Sequence, residues 1–139
     1  MQDGTFSSSG HPAETAFVRG DAFARDCPTR RLLDRVGDKW SVLVLLLLGE
    51  GEARFGQLKR RIDGVSQKML SQTLRALERD GLVTRHPVAT VPVTVSYRIA
   101  PLGRDLLGAL QRMIDWAETR MPQVIEAQRR YDARMPPMQ

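Results

Sequence analysis

Apolar residues recur at helical spacing along most of the chain and give way to β-branched runs in one region. In "CPTRRLLDRVG", Pro28 suits a first helical turn, Leu32, Leu33 and Val36 form an apolar stripe, and Gly37 stops it. Asp38 can cap the next helix, "KWSVLVLLLLG". Its apolar residues occupy every face, which predicts a helix at the centre of the core with Trp40 as the bulkiest filler. After the "GEGE" turn and a short extended "ARF", Phe55, Leu58 and Ile62 mark a short basic helix closed by Asp63 and Gly64. "LVTRHPV" and "VTVSYRI", joined around Ala89 to Pro92, read as a β-hairpin with prolines near its tip. Leu102, Leu106, Leu110, Met113, Ile114, Ala117 and Met121 then line one face of a long helix that continues past Pro122 to Ala133. Residues 1 to 12, rich in Ser and Gly, read as disordered, and Ala13 to Asp26, carrying Phe17, Val18 and Phe23, as a broken helix.

The remaining helix, Val65 to Arg79, raises the question of function. Ser66 can cap it, and Val65 can pack on Leu70 as a hydrophobic staple. Met69, Leu70, Leu74 and Leu77 are expected to face the core, followed by the Gly81 stop and further apolar contact through Leu82 and Val83. That leaves Gln67, Lys68, Ser71, Gln72 and Arg75 on the other side, with no acid before Glu78. These side chains can pair with base edges and phosphates, although an ordinary solvated helix face uses the same types. The order of elements decides between them. A short basic helix closed by "DGVS" precedes this one and a hairpin follows it, as in a winged helix-turn-helix.

Composition supports that choice. The 139 residues suffice for one core, and 21 basic against 16 acidic residues leave a net charge of +5, which favours an anionic partner. Nucleic acid leads, ahead of an acidic membrane surface. With Cys27 the sole cysteine, neither an intrachain disulfide nor a multi-cysteine zinc site can form, and a reducing, cytoplasmic setting is expected. Val42 to Leu48 is too short to span a bilayer, and "MQDGTFSSSG" does not resemble a signal peptide. His11 and His86 lie far apart without matching carboxylates, and there is no phosphate loop or nucleophile motif, so no metal, cofactor or catalytic site is expected.

"GDKW" at Gly37 to Trp40, "RFGQL" at Arg54 to Leu58, "GVSQKMLSQTLRALERDGLV" at Gly64 to Val83 and "PLG" at Pro101 to Gly103 resemble the HxlR-type transcriptional regulators, relatives of the MarR group. The likeness runs from Cys27 to about Leu110. It implies a homodimeric, cytoplasmic winged-helix regulator on a pseudo-palindromic operator in double-stranded DNA. Ser66 to Arg79 would be its recognition helix, and the first and last helices, with residues before Cys27, would build the dimer. One departure stands out. The family's wing reads close to "YPEVPPRVEY", whereas this chain has "PVATVPVTVSY", with Thr90 and Thr94 where the tip usually carries charge. Arg85 and Arg98 at the strand ends remain to reach phosphate, but the main phosphate contacts are expected from Arg54, Lys59, Arg60, Arg61 and Lys68.

Cys27 is the other residue with reactive chemistry. At the start of a helix, with Arg30 and Arg31 nearby, its thiolate would be favoured, and some members of the family it resembles use a cysteine here as a redox or electrophile sensor. A small buried hydrophobe at the dimer contact is the competing role. A pocket for a small-molecule effector between the dimer helices and the winged domain is a third route to a signal.

The expected fold is therefore α+β and mainly α, a winged helix-turn-helix with flanking dimerisation helices. It divides into an N-terminal tail and dimerisation segment (1–26), the winged domain with its dimerisation helix (27–121) and a C-terminal helical extension (122–139). The expected function is a sequence-specific repressor without catalytic activity. The rival is a winged-helix module that binds an acidic protein surface through Gln67 to Arg75.

Overall fold

The computed structural model describes residues 21–135, together with the backbone of residues 5–6 and 17–18. The disorder expected for residues 1–12 thus falls almost wholly outside the described residues, as do His11 and residues 136–139. Two compact units divide between Val42 and Leu43.

In the first unit, β1 (Thr5–Phe6) pairs antiparallel with β2 (Phe17–Val18). The broken helix expected over Ala13–Asp26 does not form in its described part, where turns and bends follow β2. The Asp21 carboxylate accepts the backbone N–H of Phe23 at 3.0 Å, and the Asp21 carbonyl that of Ala24 at 2.9 Å. Such local bonds satisfy the backbone in competition with a helix. α1 (Pro28–Gly37) has Cys27 at its N-cap and Pro in its first turn. Its apolar stripe forms as expected but buries nothing, with Leu32 and Leu33 both exposed. α2 (Lys39–Glu50) begins in this unit. Asp38 caps it, accepting the Trp40 N–H at 3.3 Å and the hydroxyl of wholly buried Ser41 at 2.9 Å. Trp40 is not the central filler; it is half-buried, with the Lys39 ammonium 4.7 Å from its ring centre. Small Ser41 is the residue enclosed there.

The second unit holds the rest of α2, whose Val44, Leu45 and Leu48 are buried. β3 (Ala53–Arg54) leads into α3 (Phe55–Arg61), then α4 (Gln67–Arg79), the hairpin β4 (Val83–Val88) and β5 (Thr94–Ile99), and α5 (Pro101–Arg134). The sheet order is β3-β5-β4, all antiparallel. Leu58, Ile62, Val65, Leu70, Leu74, Leu77, Leu82 and Val83 complete the core between α2, the helix pair and the hairpin. Gly81 adopts φ of 77°, which L side chains disfavour, so that the Gly81 N–H reaches the carbonyl of Glu78 and the Leu82 N–H that of Leu77, both at 3.0 Å. This Schellman arrangement closes α4 and aims the chain into β4.

α5 runs unbroken through Pro122 for 34 residues. Only Gly103, Leu107 and Leu110 along it are buried. Along the predicted stripe Leu110 is buried, whereas Leu102, Met113 and Met121 are exposed, as expected of an apolar face longer than one small domain covers.

Candidate nucleic-acid interface

α4 is amphipathic, and its two faces have different tasks. Leu70, Thr73, Leu74 and Leu77 are buried, so that three leucines and a threonine fix its orientation. Met69, expected to face the core, is instead exposed at 38%, because it lies at the N-terminal edge of that stripe and turns toward solvent beside Lys68. Ser66 caps the helix, its hydroxyl oxygen accepting the Met69 N–H at 3.0 Å. Gln67, Lys68, Gln72 and Arg75 are exposed and Ser71 is half-buried. This places donors and acceptors on one protruding face with no acid in the first turn. An anion meeting this end also meets the positive end of the helix dipole.

α3 supplies the charge beside it. Lys59, Arg60 and Arg61 fill its last turn, and Arg54, at its start, gives its backbone N–H to the Gln57 side-chain oxygen at 2.8 Å. A hollow of about 530 Å³ brings Arg54 and Arg60 together with Thr94 of the hairpin. A second, of about 400 Å³, lies between α4 and the sheet, where Ser71, Arg75 and Glu78 meet Arg85 and Tyr97.

The two strand arginines part company. Arg85 pairs in register with Tyr97, and Arg98 with Thr84, so alternation along each strand sends their side chains to opposite faces of the sheet. Arg85 thus joins Arg75 in the cleft beside α4. Arg98 instead places its Nε 3.1 Å from Oε1 of Glu52, and Arg61 lies 3.6 Å from the Glu50 carboxylate. The Glu52 carboxyl is held below its usual range, first by the buried Ser96 hydroxyl and then by the Arg98 charge. Two of the cations expected to meet phosphate therefore already have carboxylate partners. For Arg54, Lys59, Arg60, Lys68, Arg75 and Arg85 no acid among the described residues lies in ion-pair range.

Pro87 to Tyr97 carries no charged residue. At the tip of the wing the Thr90 hydroxyl donates to the Pro92 carbonyl at 2.7 Å and lies 3.5 Å from that of Thr94, while Val91 and Val93 are 103% and 68% exposed.

Cys27 is buried, and its thiol lies below its usual range. The backbone N–H of Arg30 is the leading cause and that of Thr29 adds to it, against the opposing effect of burial. The helix terminus therefore acts through its amides; the Arg30 guanidinium turns away and donates to the Phe23 carbonyl at 3.0 Å. His86 is engaged within the hairpin, with Nε2 2.7 Å from the Thr84 hydroxyl. No cluster of metal-ligating side chains occurs among the described residues.

The HxlR-like helix-turn-helix family model matches residues 35–125, from the end of α1 through about the first three-quarters of α5. The chain belongs to this family. It is 43% identical over 106 residues to the HTH-type transcriptional regulator YtfH of Escherichia coli (strain K12), covering 76% of this chain and 84% of that protein. The structure of the transcriptional regulator YtfH from Salmonella typhimurium superposes with a TM-score of 0.74 at 43% identity, over 81% of this chain and 99% of that one. The redox regulator HypR in its reduced form gives 0.66 at 33% identity, over 72% and 98%. The chain is thus a helix-turn-helix transcriptional regulator with the winged fold expected of it, in a family of regulators rather than enzymes. Among its described residues no helix is long and apolar enough to cross a membrane.

Proposed function

We propose that this HxlR-family regulator is a cytoplasmic homodimer that represses transcription by binding a pseudo-palindromic operator, with α4 reading base edges in the major groove. The observation that carries this reading is the exposed N-terminal face of α4, free of acids, beside the basic last turn of α3. Gln67, Lys68, Ser71, Gln72 and Arg75 contact the bases and adjacent backbone, and Arg54, Lys59, Arg60 and Arg85 the phosphates. Two copies of α4 about 34 Å apart would enter successive turns of the major groove. The dimer is assigned to α5, whose Met113, Trp116, Met121, Ile125 and Tyr131 stay exposed along a helix far longer than its own unit covers. The unburied Leu32 and Leu33 of α1 suit the same role.

For the signal, Cys27 is the candidate. Helix-end amides favour its thiolate, the form that reacts with oxidants. HypR is a redox regulator with reduced and oxidised forms, and Cys27 is the residue of this chain that could answer to an oxidant. With one cysteine per chain, oxidation by diamide joins Cys27 to a second thiol, of another chain or a small molecule. The disulfide forms as two electrons and two protons pass to the diamide, giving its hydrazine. A small-molecule effector is the alternative signal.

The test is a mobility-shift titration against the DNA upstream of its own coding region and a random duplex, at two salt concentrations, with and without diamide. Salt-sensitive binding that prefers the upstream DNA supports the regulator. Loss of that binding with diamide in wild type but not in Cys27→Ser supports the sensor. Binding that is neither selective nor salt-sensitive counts against the DNA reading itself.

A further inference from the structure

We infer that Glu50 and Glu52 are affinity-limiting residues, carboxylates that occupy Arg61 and Arg98 and so keep two cations from gripping the phosphates of DNA of any sequence. The inference rests on the DNA-binding reading and adds to it a pair of acids which that reading leaves without a task.

The two glutamates belong to the "GEGE" turn, at the end of α2 and just before β3. Glu50 meets Arg61 at the end of α3 at 3.6 Å, and Glu52 meets Arg98 on β5 at 3.1 Å. One turn thus reaches the helix-turn-helix on one side and the base of the wing on the other. Both acids also line, with Arg60 and Gln57, a hollow of about 430 Å³ floored by Leu58. All four charged side chains are 45–65% exposed, so the pairs add little to stability. Their effect is on what the arginines can do next. A guanidinium facing a carboxylate has an anionic partner already, and a phosphate oxygen must displace that partner before it gains a contact. Phosphate contacts are the sequence-independent part of affinity. Occupying Arg61 and Arg98 therefore lowers binding to every duplex alike and leaves the base-reading face of α4 unchanged, so the two carboxylates set overall affinity and its salt dependence.

The experiment compares wild type, Glu50→Gln, Glu52→Gln, Arg98→Ala and the double variant Glu52→Gln/Arg98→Ala, each titrated with random duplex between 50 and 200 mM salt. One freed arginine should steepen the slope of log affinity against log salt by about 0.9, so that the gain over wild type is about 3.5-fold larger at 50 mM than at 200 mM. Arg98→Ala alone should change little, and in the Glu52→Gln background it should abolish the gain. A gain that persists without Arg98 is a general charge effect and overturns the proposal, as does a slope in both glutamine variants equal to that of wild type. If wild type itself shows no salt-dependent affinity, the DNA-binding reading fails and this inference falls with it. Circular dichroism of each variant shows that the comparison is between folded proteins.

Discussion

Two regions that stand side by side in a winged helix are built here on opposite principles. α4 opens on a capped turn and offers amides, a lysine and an arginine before any acid appears, whereas the wing runs from Pro87 to Tyr97 without a charge and ends in two exposed valines. The difference teaches where the sequence-independent grip resides. A neutral wing releases no counterions, so the salt dependence of binding should come from the helix pair and from Arg85, and the wing should act through shape and apolar contact alone.

The comparison is broken most severely at the seat of α4. Leu74→Ala leaves a cavity under a fully buried side chain and should cost about 2–5 kcal/mol, read as a fall in the denaturant midpoint, with all DNA binding lost in proportion to unfolding. A smaller and more selective effect is expected on the exposed face. Gln72→Ala or Arg75→Ala should weaken operator binding by about 1–3 kcal/mol and random-duplex binding far less, while Lys59→Ala should weaken both alike. Equal losses on both duplexes for the α4 changes would remove base reading from this helix. The smallest effects belong to the wing. Val91→Ser should move stability by less than about 0.5 kcal/mol and leave the salt slope as it was, and Thr90→Lys should steepen that slope by about 0.9 if the tip reaches DNA. An unchanged slope in the lysine variant would take the wing tip off the duplex.

Much of this arrangement can be read from the residues. The cap at Ser66, the stop at Gly81, the hairpin and the order of the elements all rest on local signals that survive folding: a short hydroxyl, a missing Cβ, β-branched runs. The motifs that carry the family resemblance, from Gly37 to Gly103, also lie within the matched residues 35–125. Where the reading failed, the deciding contact lay elsewhere in the chain. Periodicity places Met69 and Leu70 on adjoining positions of one stripe, and only the packed neighbours show that Leu70 is enclosed while Met69 is not. It cannot tell which arginine has an acid beside it, because Arg98 and Glu52 are 46 residues apart in sequence. The opposite facing of Arg85 and Arg98, by contrast, was available from alternation in the hairpin once its register was fixed.

The contact between α5 and the end of α4 has a mechanical consequence. A Cβ at Gly103 would overlap the carbonyl oxygen of Leu82 and crowd the Ile99 side chain at 2.9 Å, and the same carbonyl accepts the Ala100 N–H at 2.9 Å. α5 thus starts with its backbone pressed against the residue that immediately follows the α4 stop, with no side chain between them to absorb a displacement. In a dimer joined through α5, a small change of tilt at the subunit contact would be geared directly into the spacing of the two reading heads. A signal received at the dimer could then detune the protein from its operator without unfolding either helix.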